Sequence, residues 1–513
     1  MFKKLPAKID DNLNPILVKE LRQVVNGNSL ISIMSLGSVV MFIMLLIQLM
    51  MNDYNMEAGK NLYDFILLTL SIVLLIIIPA QESNKFLNEQ KNKSMELLYS
   101  STITPFGIFW GKYLTINVIA LQIYSLALPY MTISYLLRGI DIFQIFLYNI
   151  LLFIAMQPII SFSIFAASLR VSKVIFNLVM AGVLFGYMSL CVSVFSTLSR
   201  ANAIFSGASA FMLALFTVVA LEVTGFFVSL GVCAISSSPS NRAFSPRLYI
   251  AVSFIVNSIV MTILNLLLPS GVLSGSDLDG LNIGVYMIYF LLGLAGMLIA
   301  SNERTEYNYR ILSQIPRGVF KRIFVFPFFS GMANGMLFSF GLTFMLIIFI
   351  GGFKYLTSSG SLPSWDKKFL VGLAGVFLYT FSVSVWGYII KKKWLGEKFP
   401  NVPATAYSLL FIFVSLIIPF FLSILSVGLV AFDEEKMAVY FILSFAGVFF
   451  DNIRYIALAA DSIIALISLI FIFPKFIEMV RSFKLLESGN GESEKSSAEI
   501  KGSGAESSGE ADE

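Results

Sequence analysis

The chain of 513 residues has no histidine, an absence that removes imidazole acid–base chemistry and makes most zinc or haem sites untenable. It has two cysteines, Cys191 and Cys233, each inside an apolar run. No disulfide framework is implied, and both read as small buried hydrophobes. Charged residues are 13% of the chain, well under the roughly 25% of a soluble domain. No Gly-x-x-x-x-Gly-Lys-Ser/Thr loop occurs, so the chain lacks the phosphate cradle with which it would bind and hydrolyse ATP by itself. Catalysis within this chain is not expected.

What is present is apolar. Hydrophobic residues make up 57% and the mean hydropathy is +0.83. Runs of about 20 apolar residues, the length that crosses a bilayer, recur from residue 30 to residue 473. The expected fold is an all-α polytopic membrane protein of about 12 transmembrane helices. The first apolar run begins near Leu30, behind an amphipathic stretch, so no cleavable signal peptide is expected and the first span would direct insertion.

Charge placement orients the spans. Lys3, Lys4, Lys8, Lys19 and Arg22 precede the first span, about 30–51, which puts the N-terminus in the cytoplasm. The second span, about 62–80, leads into a basic loop with Lys85, Lys91, Lys93 and Lys112, also cytoplasmic. The third span, about 113–137, ends in a tight turn at Arg138-Gly139-Ile140-Asp141; the fourth returns to Arg170 and Lys173, and the fifth covers about 174–197. Residues 201–235 are too long for one crossing of about 30 Å and are interrupted at Ser206-Gly207-Ala208-Ser209, so an outer re-entrant segment followed by a sixth span is expected.

The layout then repeats. Spans at about 248–268, 282–300, 332–352, 369–390, 405–430 and 454–473 form a second set of six. Asn302-Glu303-Arg304, Ile311-Leu312 and Pro316-Arg317-Gly318-Val319-Phe320 echo Asn88-Glu89-Gln90, Leu97-Leu98 and Pro105-Phe106-Gly107-Ile108-Phe109. Residues 437–450 are too short to cross and are expected to dip in and return, which leaves the tail cytoplasmic with its Lys475, Arg481 and Lys484. The expected organisation is a cytoplasmic region 1–28, a first half 29–236, a linker 237–247, a second half 248–474 and a tail 475–513, disordered from about 485. The tail from Leu485 holds eight acids and two lysines; without them the 35 basic and 31 acidic residues become 33 and 23, a net charge of +10. Such an excess suits the inner leaflet of a lipid bilayer and not nucleic acid.

Two stretches carry more than hydropathy. In the first, Asn14 is placed to N-cap a helix with Pro15 in its first position. Leu13, Ile16, Leu17, Leu21, Val24 and Val25 share one face, with Lys19, Glu20, Arg22 and Gln23 on the other, as in a helix half-sunk in the headgroup region. The second stretch, residues 81–112, is charged and amphipathic, sits between two spans and is expected to lie flat under the membrane. It passes through Ser94-Met95-Glu96-Leu97-Leu98, breaks at Thr104-Pro105 and re-enters at Trp110-Gly111-Lys112.

In order and spacing these two stretches resemble the interfacial N-terminal helix and first cytoplasmic loop of the permease subunits of type-2 ABC transporters, here with two permease halves fused. The resemblance implies a permease subunit of an ATP-driven exporter in a bacterial inner membrane, coupled to a separate ABC ATPase subunit that holds ATP and Mg. It implies no cofactor in this chain and names no substrate. The residues it implicates in ATPase coupling are Lys19, Glu20, Arg22, Glu89, Glu96, Glu303, Arg304 and Arg317. The short outer loops set it apart from mechanotransmitting relatives with large periplasmic domains.

Intramembrane charges are the other candidates, because an Asp at a helix centre costs about 2.5–3.5 kcal/mol on an insertion scale. Glu222 lies mid-span, with no cation near it in sequence. Asp461 lies in the last span, and Arg454, two turns before it, would share its face and could pair with it, so a structural ion pair and a transport role both stay open. Two other functions stay open: an ABC-derived membrane scaffold without a transported solute, and a proton-coupled secondary carrier resting on Glu222 and Asp461.

Overall fold

In the computed structural model, every regular element among the described residues is helical. Those residues are 14–50, 58–91, 103–169, 172–200, 207–237, 240–267, 275–357, 364–395, 398–399, 402–427, 448 and 453–483. Glu96, and all of the expected re-entrant segment 437–450 except Val448, lie outside them. The preference for helix follows from composition: where side chains are this apolar, backbone N–H and C=O groups must pair within their own segment.

In chain order the helices are α1 (Pro15–Asn26), α2 (Asn28–Met50), α3 (Ala58–Ile72), α4 (Ile78–Lys91), α5 (Pro105–Leu136), α6 (Ile142–Ser168), α7 (Lys173–Arg200), α8 (Gly207–Ile235) and α9 (Phe244–Leu267). They continue as α10 (Gly275–Ala300), α11 (Tyr309–Leu312), α12 (Val319–Val325), α13 (Met332–Thr357), α14 (Ser364–Ile390), α15 (Ala404–Val427) and α16 (Arg454–Ser482). Among the described residues, 11 helices are long and apolar enough to cross a membrane. This is the architecture of a multi-pass membrane protein. In α15, of 24 residues, the stretch Ala404–Ser415 counts as a shorter apolar helix.

Two expectations are corrected. The charged run from Glu82 to Lys91 is not a separate flat helix, because α3, a π-helical segment Val73–Ile77 and α4 form one uninterrupted rod. Pro79 has no N–H to donate and its ring would clash with the carbonyl of Leu75, and the wider π turn falls where that carbonyl must be released. Gly207, Ala208 and Ser209 do not interrupt a helix either; they open α8, which runs unbroken for 29 residues. At 1.5 Å per residue, such a helix outruns a bilayer core of about 30 Å and is accommodated by tilt or by protruding ends. Residues 201–206 lie outside the described set.

By packing, the chain divides into two compact units, residues 1–238 with 242–282, and residues 239–241 with 283–513. Helix α9 therefore belongs to the first unit, whereas the hydropathy repeat groups it with the second half. In the first unit α6 is the inner helix, 72% of its crossing window being buried, and α8 lies along it with Phe227 packed on Phe162 and Phe165. Gln157 of α6 donates to Asn117 at 3.0 Å and accepts from the Tyr113 hydroxyl, polar contacts that hold α5 to α6 without help from a hydrophobic drive. Between these two helices the expected turn is formed with Arg138 and Gly139 both at positive φ, 68° and 94°. In the second unit α14 is the inner helix, 61% buried over its window, and packs against α13, α15 and α16.

Candidate functional site

The two stretches singled out by motif come together around Lys112. Asn14 works at both ends of its amide: Oδ1 accepts from the Ile16 N–H at 3.0 Å and caps α1, while Nδ2 donates to the Gly107 carbonyl at 2.6 Å and ties that cap to the first turn of α5. Gly111 lets α1 lie directly on α5, since a Cβ there would stand 2.9 Å from the Ile16 Cβ. One residue on, the buried Lys112 Nζ donates to Glu20 Oε1 and to Glu89 Oε2, both at 2.7 Å, and sits 4.7 Å from the centre of the Phe86 ring. Lys19 stands 3.7 Å from each of the same two glutamates, its own side chain 55% exposed. Among the described residues two cations and two carboxylates thus form a network between α1, the end of α4 and the start of α5.

This arrangement corrects the face assigned to Glu20. Ile16, Glu20 and Val24 are spaced four residues apart and all three are buried, so Glu20 points inward with the hydrophobes and not outward with Lys19 and Arg22. The signal was in the sequence: the four-residue spacing, and the lysine that follows Gly111. Lys112, which motif reading left as a boundary marker, is the residue on which the network converges. Arg22 is exposed on the outer face of α1.

In the second loop, Glu303 also turns inward. Its Oε2 accepts from the Gly331 N–H at 2.6 Å, and the Arg304 carbonyl accepts from the Met332 N–H at 3.1 Å, which places an acid and a carbonyl on the free N–H groups that start α13. Arg304, Glu306, Tyr388, Lys391 and Lys392 line a polar pocket of about 710 Å³ beside it. Arg317 is exposed between α11 and α12. Its neighbours Val319, Phe320, Ile323 and Phe324 are exposed too, while Ile311, Ile315, Phe326, Phe329 and Phe483 form a small core that fastens the loop to the end of α16.

The two intramembrane acids are treated differently. Glu222 gains a partner that sequence proximity did not reveal: the Asn257 amide of α9 donates to its Oε1 at 2.5 Å, and the Tyr249 hydroxyl donates to its backbone carbonyl at 2.7 Å. Asp461 gains none. Its residue is fully buried, and among the described residues neither carboxylate oxygen has a hydrogen-bond partner. The expected Arg454–Asp461 pair is absent, because the Arg454 Nε donates instead to the Val448 carbonyl at 3.0 Å. Two turns of helix separate the residues by about 10 Å along the axis, and a nearer acceptor captured the guanidinium.

Among the described residues no three of His, Cys, Asp and Glu converge as metal ligands, and neither cysteine is in a disulfide. A scan against protein-family models, a search of curated proteins and a search of solved structures each returned no match.

Proposed function

We propose that the chain is the membrane permease subunit of an ATP-driven ABC exporter, with ATP and Mg held by a separate ABC ATPase subunit. The observation that carries this reading is the Lys112 network, which joins the very elements on which the resemblance rests. A push on the segment after α4 reaches Glu89, passes through Lys112 to α5, and through Glu20 to α1. Charge-assisted bonds at 2.7 Å hold direction as well as distance, so α1 and the first loop would move as one lever under the bilayer. In this reading Glu20, Glu89 and Glu303 transmit load inside the subunit, and Lys19, Arg22, Glu96, Arg304 and Arg317 form the contact with the ATPase. Twelve crossings in two sets of six, both termini in the cytoplasm and a bacterial inner-membrane location belong to the same proposal.

The test is biochemical. Purified alone, the chain should hydrolyse no ATP, and expressed in its own cell it should co-purify with an ATP-binding subunit. Glu96→Lys should reduce that recovery while insertion stays normal. Hydrolysis by the isolated, contaminant-free polypeptide would overturn the reading. A proton-coupled carrier is the second reading, favoured by the buried Asp461. Transport that persists without ATP and collapses with the proton gradient would select it.

A further inference from the structure

Asp461 occupies a position that needs a ligand. It faces inward on α16 with Ala457, Ala465 and Ser468, all buried, and no donor among the described residues reaches its carboxylate. Hydroxyls on α16 and α14 are already committed. Ser462 and Ser468 donate to the carbonyls of Leu458 and Ile464 in their own helix, and the Tyr379 hydroxyl of α14 is paired with the Ser415 hydroxyl of α15. An ionised carboxylate left without hydrogen bonds in an apolar interior is among the most costly arrangements a protein can hold.

Among the described residues the surrounding charges do not relieve it. On α16, Arg454 is turned to Val448, and Lys475 is paired with Glu478 at 2.6 Å near the far end of the helix. On α14, Tyr379 is the titratable group close enough to sense the Asp461 charge; Lys368 and Tyr388 lie two to three turns away on either side of it. From Met332 to Gly351, α13 carries no titratable residue. A metal cation needs several converging oxygens, and among the described residues no cluster of three or more Asp, Glu, His or Cys forms around Asp461.

We propose that Asp461 is a proton-binding site inside the second unit, its carboxyl carried as the neutral acid between α16 and α14. Loss of the proton leaves an uncompensated charge between the two helices, so proton release and the loosening of that contact are one linked event. The site stands apart from the proposed ATPase coupling and holds whichever partner drives the chain.

The probe is N,N′-dicyclohexylcarbodiimide, a membrane-soluble reagent that consumes protonated carboxyls. The carboxyl proton passes to a carbodiimide nitrogen, the carboxyl oxygen bonds to the central carbon, and the acyl group then migrates from oxygen to nitrogen. Nothing leaves, so the peptide gains the mass of one whole reagent as a stable N-acylurea. Applied to the full chain in membranes, with peptide mass spectrometry, it should modify Asp461, with yield falling as the pH is raised and unchanged by excess sodium. Asp461→Asn should abolish that adduct without lowering Tm, since a neutral amide replaces a neutral acid. Asp461→Glu should keep the adduct. No adduct at Asp461, while other membrane carboxyls of the same sample react, overturns the assignment. So does protection by sodium, which would make the site one for a metal cation, or a marked fall in Tm for Asp461→Asn, which would mean that the carboxylate is ionised and held by a partner.

Discussion

Replacing Lys112 by methionine keeps most of the apolar stem of the side chain and removes the terminal ammonium with its charge and its N–H donors. Glu20 and Glu89 are then left facing the same point from which the ammonium held both at 2.7 Å. Breaking a buried ion pair by deleting one partner costs about 3–5 kcal/mol. Here the network is open on one side, with Glu89 19% and Lys19 55% exposed, and Lys19 is near enough to shift toward either glutamate. The lower end, about 3 kcal/mol, is therefore the working figure. Since each 1.4 kcal/mol is tenfold, the undocking equilibrium of α1 should rise on the order of 100-fold. Hydrogen exchange of the α1 amides in the detergent-solubilised full chain reads this directly: Lys112→Met should accelerate α1 by about that factor and leave α6 unchanged. Adding Glu20→Gln and Glu89→Gln should restore most of the protection, because no buried charge is then left without a partner and Lys19, 55% exposed, keeps its charge in contact with solvent. Glu20→Gln alone should be milder, as Lys112 keeps Glu89. If the single variant exchanges like the parent, or the triple variant exchanges no slower than the single, the network does not hold α1 in place.

Two further outcomes follow from the same structure. Asn257→Leu removes the amide that donates to Glu222 and should lower stability by about 1–3 kcal/mol, seen as a lower Tm in detergent, whereas Glu222→Gln keeps an acceptor and should sit close to the parent; equal Tm values for both would refute the Glu222–Asn257 bond. A reporter fused after Lys484 should signal from the cytoplasm, and a signal from the opposite side would mean an odd number of crossings and would end the proposal of two equal sets.

Long-range periodicity was the legible part of this chain. Apolar runs located most of the crossing helices, because every span needs about 20 apolar residues, but not all of their ends: α4 continues to Lys91, α5 begins at Pro105 and α16 ends at Ser482, each well outside the run that marked it. Asn14-Pro15 located a cap and Gly139 a turn, because an Asn side chain caps, Pro fits a first helical position and Gly accepts positive φ. What stayed hidden was decided by partners distant in sequence. Glu20 looked solvent-facing because its cation is Lys112, on a helix that begins beyond the first loop. Glu222 looked unpaired because its amide donor comes from α9. The Arg454–Asp461 pair looked natural on one helix face, yet the Val448 carbonyl lay closer to the guanidinium. The run from Glu82 to Lys91 looked like a surface helix because its charges suit one, and composition does not reveal that the preceding span continues into it without a break.

The contrast among the buried charges is itself informative. Lys112 is held by two carboxylates, and Glu222 by a neutral amide that satisfies one oxygen without cancelling the charge. The chain therefore has the means to furnish partners for charges at depth, and it does so in the first unit on helices as apolar as those of the second. Asparagine at a contacting position, as on α9, would suffice for Asp461 as well. A purely structural polar residue at that depth would be served by such a partner, or would be a serine bonded to its own helix like Ser462 beside it. A carboxyl that, among the described residues, receives neither is more costly to keep than any of these substitutes. That difference is what a proton would supply, and it is why Asp461, and not the better-solvated charges of the loops, is the residue through which the membrane interior of this protein would register pH.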